Sequence, residues 1–397
     1  MNVVKRLRWR LFLLCLSCRM IIIRKKDKIR FLFVLQELSQ WKTEQLYIAM
    51  REHERFEPII GVTQCREHPG AEQRVIAYCE EKQYSFIILD PEKTIKEQVN
   101  VDMLCHQKPY LDNIHAAHQI DSNKSIPTVY ISYFLSTIVE PWVVNQRTCI
   151  LAWHQFIENT SCQEAWKKIN KLKGFNYVVT GSPMMDELLA STSTMKDVWP
   201  VSDGRKRIIW APHHTIGDYH MVGMAYSTFL DICWFMLELK KKYRNQVYFV
   251  FKPHPRLYQN LVDYWGEEKT ISYYSQWEEL GYSHKEENEK YVELFHFSNA
   301  MIHDCGSYTV EYLYTTNPVM YMIRDENHAN NMIPYAKEAF DLHYKGRVAD
   351  DVERFVLDVI SGNDPLKKQR EAFKERCLLP PNGKTACRNI IESILGI

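Results

Sequence analysis

A chain of 397 residues is longer than one ordinary domain, so two domains are expected. Its 46% hydrophobic and 25% charged residues are typical of a globular protein, and its net charge of +1 gives no general attraction to nucleic acid. The eleven cysteines are scattered and odd in number, which argues against a disulfide framework and favours reduced thiols in a cytoplasmic protein.

Residues 1–27 mix Lys and Arg with apolar side chains. The longest uncharged run, Leu11 to Cys18, is far shorter than the roughly 20 residues that a spanning helix needs, and no cleavage site of small residues follows it. A basic, apolar segment of this kind suits the headgroup layer of an anionic membrane. We therefore predict a peripheral association of residues 1–27 with a membrane surface, a disordered leader being the alternative.

Short apolar runs alternate with helical patterns over residues 28–190. Predicted strands are "KIRFLFVLQE", "FEPIIGVT" and "YSFIILD", and between them lie the helical patterns "SQWKTEQLYIAM" and "AEQRVIAYCEEKQ". This alternation is the signature of βαβ units and a parallel sheet. It predicts an N-terminal Rossmann-like domain.

The same alternation restarts after a polar segment at residues 191–207. Residues 206–380 contain the predicted strands "RIIWA", "QVYFVF", "NAMIH" and "VMYMI", and residues 381–397 a last short helix. Two consecutive Rossmann-like domains with a cleft between them define the GT-B arrangement. The predicted fold class is therefore α/β and GT-B-like, with ligands at the carboxyl ends of the strands.

Histidines follow two predicted strands of the second domain. His213 and His214 lie in "WAPHHT", while Lys252, His254 and Arg256 alternate in "FKPHPR". The prolines fix extended geometry next to these side chains. If "KPHPR" stays extended, its three polar side chains point the same way and suit phosphate oxygens.

A third predicted strand ends in "HDCGSYTVEYL", where a helix is expected to begin. Gly306, Ser307 and Tyr308 would place free N–H and hydroxyl groups at that helix start, which favours an anion. Glu311 lies on the same helix face as Ser307, and its carboxylate suits the two hydroxyls of a ribose.

Each feature also has a plainer interpretation: a structural His-His pair, an ordinary βα turn, or a helix carboxylate paired with a cation. Strand ends of one parallel sheet converge, however, which favours a single phosphate site. Histidines could alternatively hold a metal for hydrolysis, but they lack the usual ligand spacing and paired carboxylates. We predict no metal and no cofactor.

These motifs resemble the CDP-glycerol glycerophosphotransferase family, which includes the teichoic-acid-type polymerases. The likeness is clearest in "RIIWAPHHTI", "YFVFKPHPRL" and "HDCGSYTVEYLYTTNPVMYM", and is weaker upstream in "HQKPYLD", "VYISYF" and "VVTGSPMMDELL". It implies a GT-B fold, a CDP-linked donor in the C-terminal domain and an acceptor on the N-terminal side. By motif match, His254, Arg256 and Ser307 would bind donor phosphate, and Asp304 or Glu311 would reach the ribose or the polyol.

The chain departs from this family in its N-terminal domain. The polymerases carry a His-Gly pair there, suited to act as general base on the acceptor hydroxyl, whereas this chain reads "VYISYFLS". His106 in "CHQKPY" and His154 in "AWHQF" are the nearest substitutes, and either imidazole could take the proton.

The sequence thus predicts a metal-independent transferase at the cytoplasmic face of the membrane. It would move a polyol phosphate, glycerol phosphate first, from a CDP-linked donor to a hydroxyl of a lipid-linked glycan. Two alternatives stay open: a GT-B glycosyltransferase that uses a nucleotide sugar, and a non-catalytic relative that only binds the nucleotide.

Overall fold

The computed structural model divides the chain into two compact units. The N-terminal unit comprises Met1–Glu187 and Leu379–Ile397, and the C-terminal unit comprises Leu188–Leu378. The described residues are 3–66, 68–111, 114–138, 140–217, 226–278, 281–286 and 291–397. Each unit contains one parallel sheet with helices packed against it, as predicted.

In the described part of the N-terminal unit, the sheet has seven strands in the order β3-β2-β1-β4-β5-β6-β7. The strands are β1 Ile29–Leu35, β2 Phe56–Val62, β3 Phe86–Ile88, β4 Met103–His106, β5 Thr128–Ile131, β6 His154–Ile157 and β7 Tyr177–Val179. The helices of this unit are α1 Val3–Ile23, α2 Glu44–Glu52, α3 Ala71–Lys82, α4 Ile95–Gln98, α5 Pro141–Val144, α6 Arg147–Leu151, α7 Thr160–Ile169 and α8 Pro183–Leu188, the last of which ends at the unit border.

Among the described residues of the C-terminal unit, the sheet has six strands in the order β10-β9-β8-β11-β12-β13. The strands are β8 Lys206–Ala211, β9 Val247–Phe251, β10 Ser283–Lys285, β11 Ala300–His303, β12 Val319–Met322 and β13 Tyr344–Gly346. The helices that follow along the chain are α9 Phe229–Lys242, α10 Leu257–Trp265, α11 Glu267–Ser275, α12 Val292–His296, α13 Tyr308–Glu311, α14 Pro334–Asp341, α15 Ala349–Ser361, α16 Lys367–Phe373 and, back in the N-terminal unit, α17 Ala386–Leu395.

The central strands are apolar on both faces because helices cover both sides of each sheet. All five residues of β9 are buried, and so are all residues of β1 except one. This pattern differs from the alternation of a half-exposed strand. It explains why the central strands are recognisable in the sequence as continuous apolar runs.

Both chain ends pack into the N-terminal unit. One face of α1 buries Leu13, Leu16 and Met20 in the same core cluster that receives Ile390 and Ile394 of α17. The predicted separate segments at residues 1–27 and 381–397 therefore belong to the N-terminal unit. Within the described part of the chain, none of the helices combines the length and apolar character needed to cross a membrane.

Candidate functional site

The strand order of the C-terminal unit reverses between β8 and β11. From β8 the chain proceeds outward to β9 and β10, and it then returns to β11 on the other side of β8. Such a switch point opens a crevice at the carboxyl ends of the two strands, where ligands bind in open parallel sheets. The predicted site residues after β8, β9 and β11 lie at this sheet edge.

Asp304 fixes the turn that follows β8. Its Oδ1 accepts the backbone N–H of His213 at 2.5 Å, and its Oδ2 accepts the backbone N–H and the hydroxyl of Thr228 at 2.7 and 2.9 Å. The side chain is only 1% exposed. Burial raises the pKa of Asp304 to about 6, although the hydrogen bonds from Thr228 and His213 oppose the shift.

Three imidazoles meet at the switch point and form what we call the histidine cluster: His213, His214 and His254. The ring centroid of His214 lies 4.3 Å from those of both other histidines, and the centroids of His213 and His254 are 5.1 Å apart. One ring nitrogen of each residue lies within 4.8 Å of those of the other two. The structure therefore brings together side chains from two strand ends, as the sequence predicted.

Hydrogen bonds at Nδ1 determine the tautomer of each ring in the cluster. The backbone N–H of Arg256 donates to His254 Nδ1 at 3.2 Å, so the proton of the neutral ring resides on Nε2. Asn260 Nδ2 donates to the His214 carbonyl at 2.8 Å, which fixes its amide orientation, and it lies 3.4 Å from His214 Nδ1.

The Nδ1 of His213 has a hydroxyl partner. Thr215 Oγ1 lies 3.0 Å from it and already accepts two backbone N–H groups, from Tyr226 and Ser227. The hydroxyl proton of Thr215 is therefore directed to His213 Nδ1. In all three rings, Nε2 is left as the protonated nitrogen, an N–H donor.

The cluster is neutral at physiological pH. Burial lowers the pKa of His213 well below its usual value, that of His214 to about 4 and that of His254 to about 3. Positive charge on the neighbouring histidines and on Arg256 would add to the effect. The site therefore offers neutral, partly buried N–H donors, which suit an anion.

Among the residues that the structure describes, two groups of side chains have donor types that a metal could use: the histidine cluster, and Glu37, Cys65 and His68 in the N-terminal unit. A metal-bound histidine donates its other N–H, whereas the Nδ1 atoms of the cluster accept hydrogen bonds. The ammonium of Lys108 lies 3.9 Å from Glu37 Oε1 and already supplies a positive charge there. Neither arrangement favours a cation.

The "KPHPR" stretch does not remain extended, contrary to the expectation. Arg256 has helical torsions and precedes α10, and Leu257 N–H donates to the His254 carbonyl at 2.8 Å, which closes a turn. Lys252 is buried with its Nζ 5.7 Å from the ring centroid of Tyr291, whereas Arg256 is exposed. The three side chains therefore occupy different environments.

A helical segment follows β11, as predicted. It consists of α13, only four residues long, and a 3₁₀ turn at Tyr312–Thr315, so its dipole is small. Gly306, Ser307 and Tyr308 are partly exposed at its start. Glu311 is buried, and its Oε2 accepts the hydroxyl of Tyr291 at 2.6 Å.

The two histidines suggested as general base do not lie together. His106 ends β4 at the carboxyl edge of the N-terminal sheet, but it is 1% exposed, and burial lowers its pKa to about 4. His154 begins β6 and therefore lies at the amino edge, where its ring stacks on Trp153 at 3.7 Å. The local sequence does not distinguish these edges, because the four residues of β6 are too few and too polar to predict a strand.

Several residues outside the predicted set shape these sites. Thr215 and Asn260 orient the histidine cluster, and Glu37, His68 and Lys108 meet at the switch point of the N-terminal sheet. Glu37 and Lys108 lie two residues after β1 and β4, and these strand-end positions are the sequence signal by which they could have been predicted as site residues.

Comparisons with known proteins agree with this architecture. The structural match with the wall teichoic acid polymerase TagF extends over 99% of this chain and 98% of the TagF chain, at 12% identity and a TM-score of 0.62. The match with a putative UDP-N-acetylglucosamine 2-epimerase from Listeria monocytogenes extends over 93% of this chain and 96% of the epimerase chain, at 14% identity and a TM-score of 0.60. For the Neisseria meningitidis UDP-GlcNAc 2-epimerase bound to UDP-GlcNAc the shares are 93% and 100%, at 16% identity and a TM-score of 0.58.

These similarities confirm the GT-B-like α/β fold class. No curated protein sequence gives a significant match. The family model of CDP-glycerol:poly(glycerophosphate) glycerophosphotransferase matches residues 146–396, well over half of the chain. The predicted family is thereby confirmed, and with it a transferase that uses CDP-glycerol. The chain belongs to the CDP-glycerol:poly(glycerophosphate) glycerophosphotransferase family.

Proposed function

We propose that the protein transfers glycerol phosphate from CDP-glycerol to a hydroxyl of a lipid-linked surface glycan, and that the histidine cluster binds the donor diphosphate. The observation that carries this proposal is the set of three neutral N–H donors at the switch point of the C-terminal unit. Neutral imidazole N–H groups there can donate hydrogen bonds to a diphosphate without a metal. Membership in the family indicates that the diphosphate belongs to CDP-glycerol.

The reaction is a displacement at the β-phosphorus of the donor. The acceptor oxygen bonds to that phosphorus, the bond from phosphorus to the bridging oxygen breaks, and CMP leaves with the bonding electrons. Nε2–H of His254, His213 and His214 donate to the phosphoryl oxygens as their charge increases. Preorganised donors of this kind contribute roughly 3 kcal/mol each in comparable sites.

Side chains around the cluster complete the phosphate site. Arg256 is exposed and can fold over a bound diphosphate, and the amides and hydroxyls at Gly306, Ser307 and Tyr308 line the neighbouring strand end. Lys252 contributes a buried positive charge beside this strand end.

The carboxylates of Asp304 and Glu311, which were expected to contact the ligand, accept hydrogen bonds from the protein instead. Both oxygens of Asp304 accept hydrogen bonds from the protein, so we assign it a positioning role for the turn at His213. Contact of Glu311 with the ribose stays a prediction.

The membrane-associated location is part of the same proposal. Helix α1 exposes Leu7, Leu11 and Leu14, at 57%, 53% and 50%, on the surface that is not packed against the core. Their spacing of three and four residues forms one stripe, and exposed Arg8 lies beside it. An apolar stripe with a basic neighbour suits the surface of an anionic membrane, where a lipid-linked acceptor would also reside.

Donor binding tests the central part of this proposal. Calorimetric titration with CDP-glycerol, CDP-ribitol, a UDP-sugar and a GDP-sugar should give a preference for CDP-glycerol. A preference for a nucleotide sugar would indicate a glycosyltransferase of the same fold. Tight CDP-glycerol binding without transfer would indicate a non-catalytic relative.

A further inference from the structure

The switch point of the N-terminal sheet carries a second polar cluster. The strand order reverses between β1 and β4, so the carboxyl ends of these two strands border a crevice of the same kind as in the C-terminal unit. Glu37 follows β1, Lys108 follows β4, and His68 follows β2, the neighbour of β1. Three chemically active side chains thus share the sheet edge at which ligands bind in this fold.

Glu37 and His68 form a hydrogen-bonded pair. Their Oε2 and Nδ1 atoms lie 2.8 Å apart, and the carboxylate is 9% exposed while the imidazole is 44% exposed. On its other oxygen, Glu37 accepts the side-chain amide of Gln40 and lies 3.9 Å from the ammonium of Lys108. These partners hold the carboxylate in place beside the imidazole.

A buried carboxylate that accepts Nδ1–H directs the lone pair of the exposed imidazole to Nε2. This is the arrangement by which an acidic residue orients a catalytic histidine and stabilises the imidazolium that forms. It is the opposite tautomer from that of the histidine cluster, where Nδ1 accepts and Nε2–H donates. The two sheets therefore hold histidines prepared for opposite tasks, one for accepting a proton and the other for binding an anion.

We propose that His68 is the general base that takes the proton of the acceptor hydroxyl, and that Glu37 is its positioning residue. This inference rests on the proposed transfer reaction. As the hydroxyl oxygen bonds to the β-phosphorus, its proton moves to Nε2 of His68, and CMP leaves with the electrons of the broken phosphorus–oxygen bond. His68 then releases the proton to water through its exposed ring.

Exposure distinguishes His68 from the two histidines that the sequence suggested. The ring of His106 is enclosed, and that of His154 lies at the opposite edge of the sheet against Trp153. An acceptor carried on a lipid-linked glycan must approach from outside, and the proton must return to solvent. Only an accessible imidazole at the carboxyl edge meets both requirements among these three.

The experiment compares wild-type protein with His68→Ala, Glu37→Gln and a control, His53→Ala. His53 lies in the same unit before β2, at the amino edge, so its removal should leave transfer unchanged. The full chain is assayed with CDP-glycerol and a synthetic lipid-linked glycan that has a primary hydroxyl. Affinity for CDP-glycerol is measured separately by calorimetry.

We expect His68→Ala to lower kcat by about 100-fold or more, the usual contribution of a general base, with donor affinity unchanged. Added imidazole should restore part of the activity of His68→Ala and none to Glu37→Gln, which should show a smaller loss in kcat at constant KM for the donor. Full activity of His68→Ala, or a loss that imidazole does not rescue, would overturn the assignment.

Two further results would also overturn the assignment of His68, each for a different reason. Wild-type protein that binds CDP-glycerol but forms no phosphodiester would refute the proposed function itself, and the role of His68 with it. Activity that a chelator abolishes and zinc restores would mean that Glu37, Cys65 and His68 bind a metal instead of activating the acceptor hydroxyl.

Discussion

The carboxylate of Asp304 accepts the backbone N–H of His213 across 91 positions of the chain. Through this contact the residue after β11 fixes the turn after β8, and so the placement of the first two imidazoles of the histidine cluster. The same carboxylate holds Thr228 at the start of α9. One buried charge thereby joins three separate segments of the donor site.

Replacement of Asp304 by Asn should destabilise the protein and weaken donor binding. An amide has one accepting oxygen, so its nitrogen would face the N–H of either His213 or Thr228, and one buried donor would lose its partner. We expect a loss of about 2 kcal/mol or more in unfolding free energy, measured by urea denaturation. As a control, replacement of the exposed Asp263 by Asn should change neither the unfolding free energy nor the affinity for the donor. An Asp304→Asn variant that matches wild type in both would contradict the positioning role.

Replacement of His254 by Ala should weaken CDP-glycerol binding. Hydrogen bonds to charged groups contribute about 1.5–3 kcal/mol, so an increase in Kd of roughly 10- to 100-fold is expected. His284→Ala provides the control, because His284 lies in the same unit on the edge strand β10 and its Nδ1 contacts Tyr248. Equal affinity of His254→Ala and wild-type protein would mean that the diphosphate binds elsewhere.

The stability of the protein should fall as the pH decreases from about 6.5 towards 4. A histidine whose folded pKa is lowered takes up a proton in the unfolded state first, so its contribution is present above the unfolded pKa and lost as the pH falls through the folded value. For His254 that value is about 3 and for His214 about 4. Asp304 acts in the opposite direction, since its pKa is raised to about 6 and its contribution is lost as the pH rises through that value.

The difference between wild type and His254→Gln isolates the histidine contribution. Between pH 7 and pH 5 the variant should lose about 1–2 kcal/mol less unfolding free energy than wild type, a figure that allows for the partial exposure of the ring. Urea denaturation at the two pH values measures this. Parallel losses in both proteins would show that His254 retains an ordinary pKa.

Replacement of Leu7, Leu11 and Leu14 by Glu should abolish binding to anionic vesicles. The change removes the exposed apolar stripe of α1 and adds negative charge, while the buried face of the helix keeps its packing. Sedimentation with phosphatidylglycerol vesicles measures it, and phosphatidylcholine vesicles should bind wild-type protein weakly.

A matched triple variant controls for the loss of exposed apolar surface. Val348, Leu357 and Leu379 are exposed to a similar degree in other elements, and their replacement by Glu should leave vesicle binding intact. Equal partitioning of the α1 variant and this control would contradict the membrane role. A change in oligomeric state of the α1 variant, without a change in vesicle binding, would assign the stripe to a second copy of the chain.

The sequence predicts the central strands well because they are buried on both faces. Strands β1, β8 and β9 read as continuous apolar runs, whereas β10, β13 and β6 are three or four residues long and too polar to be recognised. Placement of α17 in the N-terminal unit depends on contacts between distant segments, including hydrogen bonds from its first two backbone N–H groups to Asp186. Local patterns contain no such information.

The candidate site likewise could be predicted only in part from local sequence patterns. The positions of His213, His214 and His254 after two predicted strands indicate that these side chains lie together, because the carboxyl ends of parallel strands meet at one edge of the sheet. The structure places the three rings in contact. The tautomers could not be predicted, since they depend on Thr215 and Asn260, and neither could the turn at Arg256. The surroundings of Asp304 and Glu311 are likewise set by residues distant in sequence.

The fate of the β-phosphate tests the account most directly. CDP-glycerol labelled at that phosphorus is incubated with the protein and a lipid-linked glycan, and the label is followed together with the released nucleotide. We predict label in the acceptor as a phosphodiester that resists phosphomonoesterase, with release of one CMP per transfer. Release of CDP, with the label still in the nucleotide, would mean attack at carbon and would contradict phosphoryl transfer.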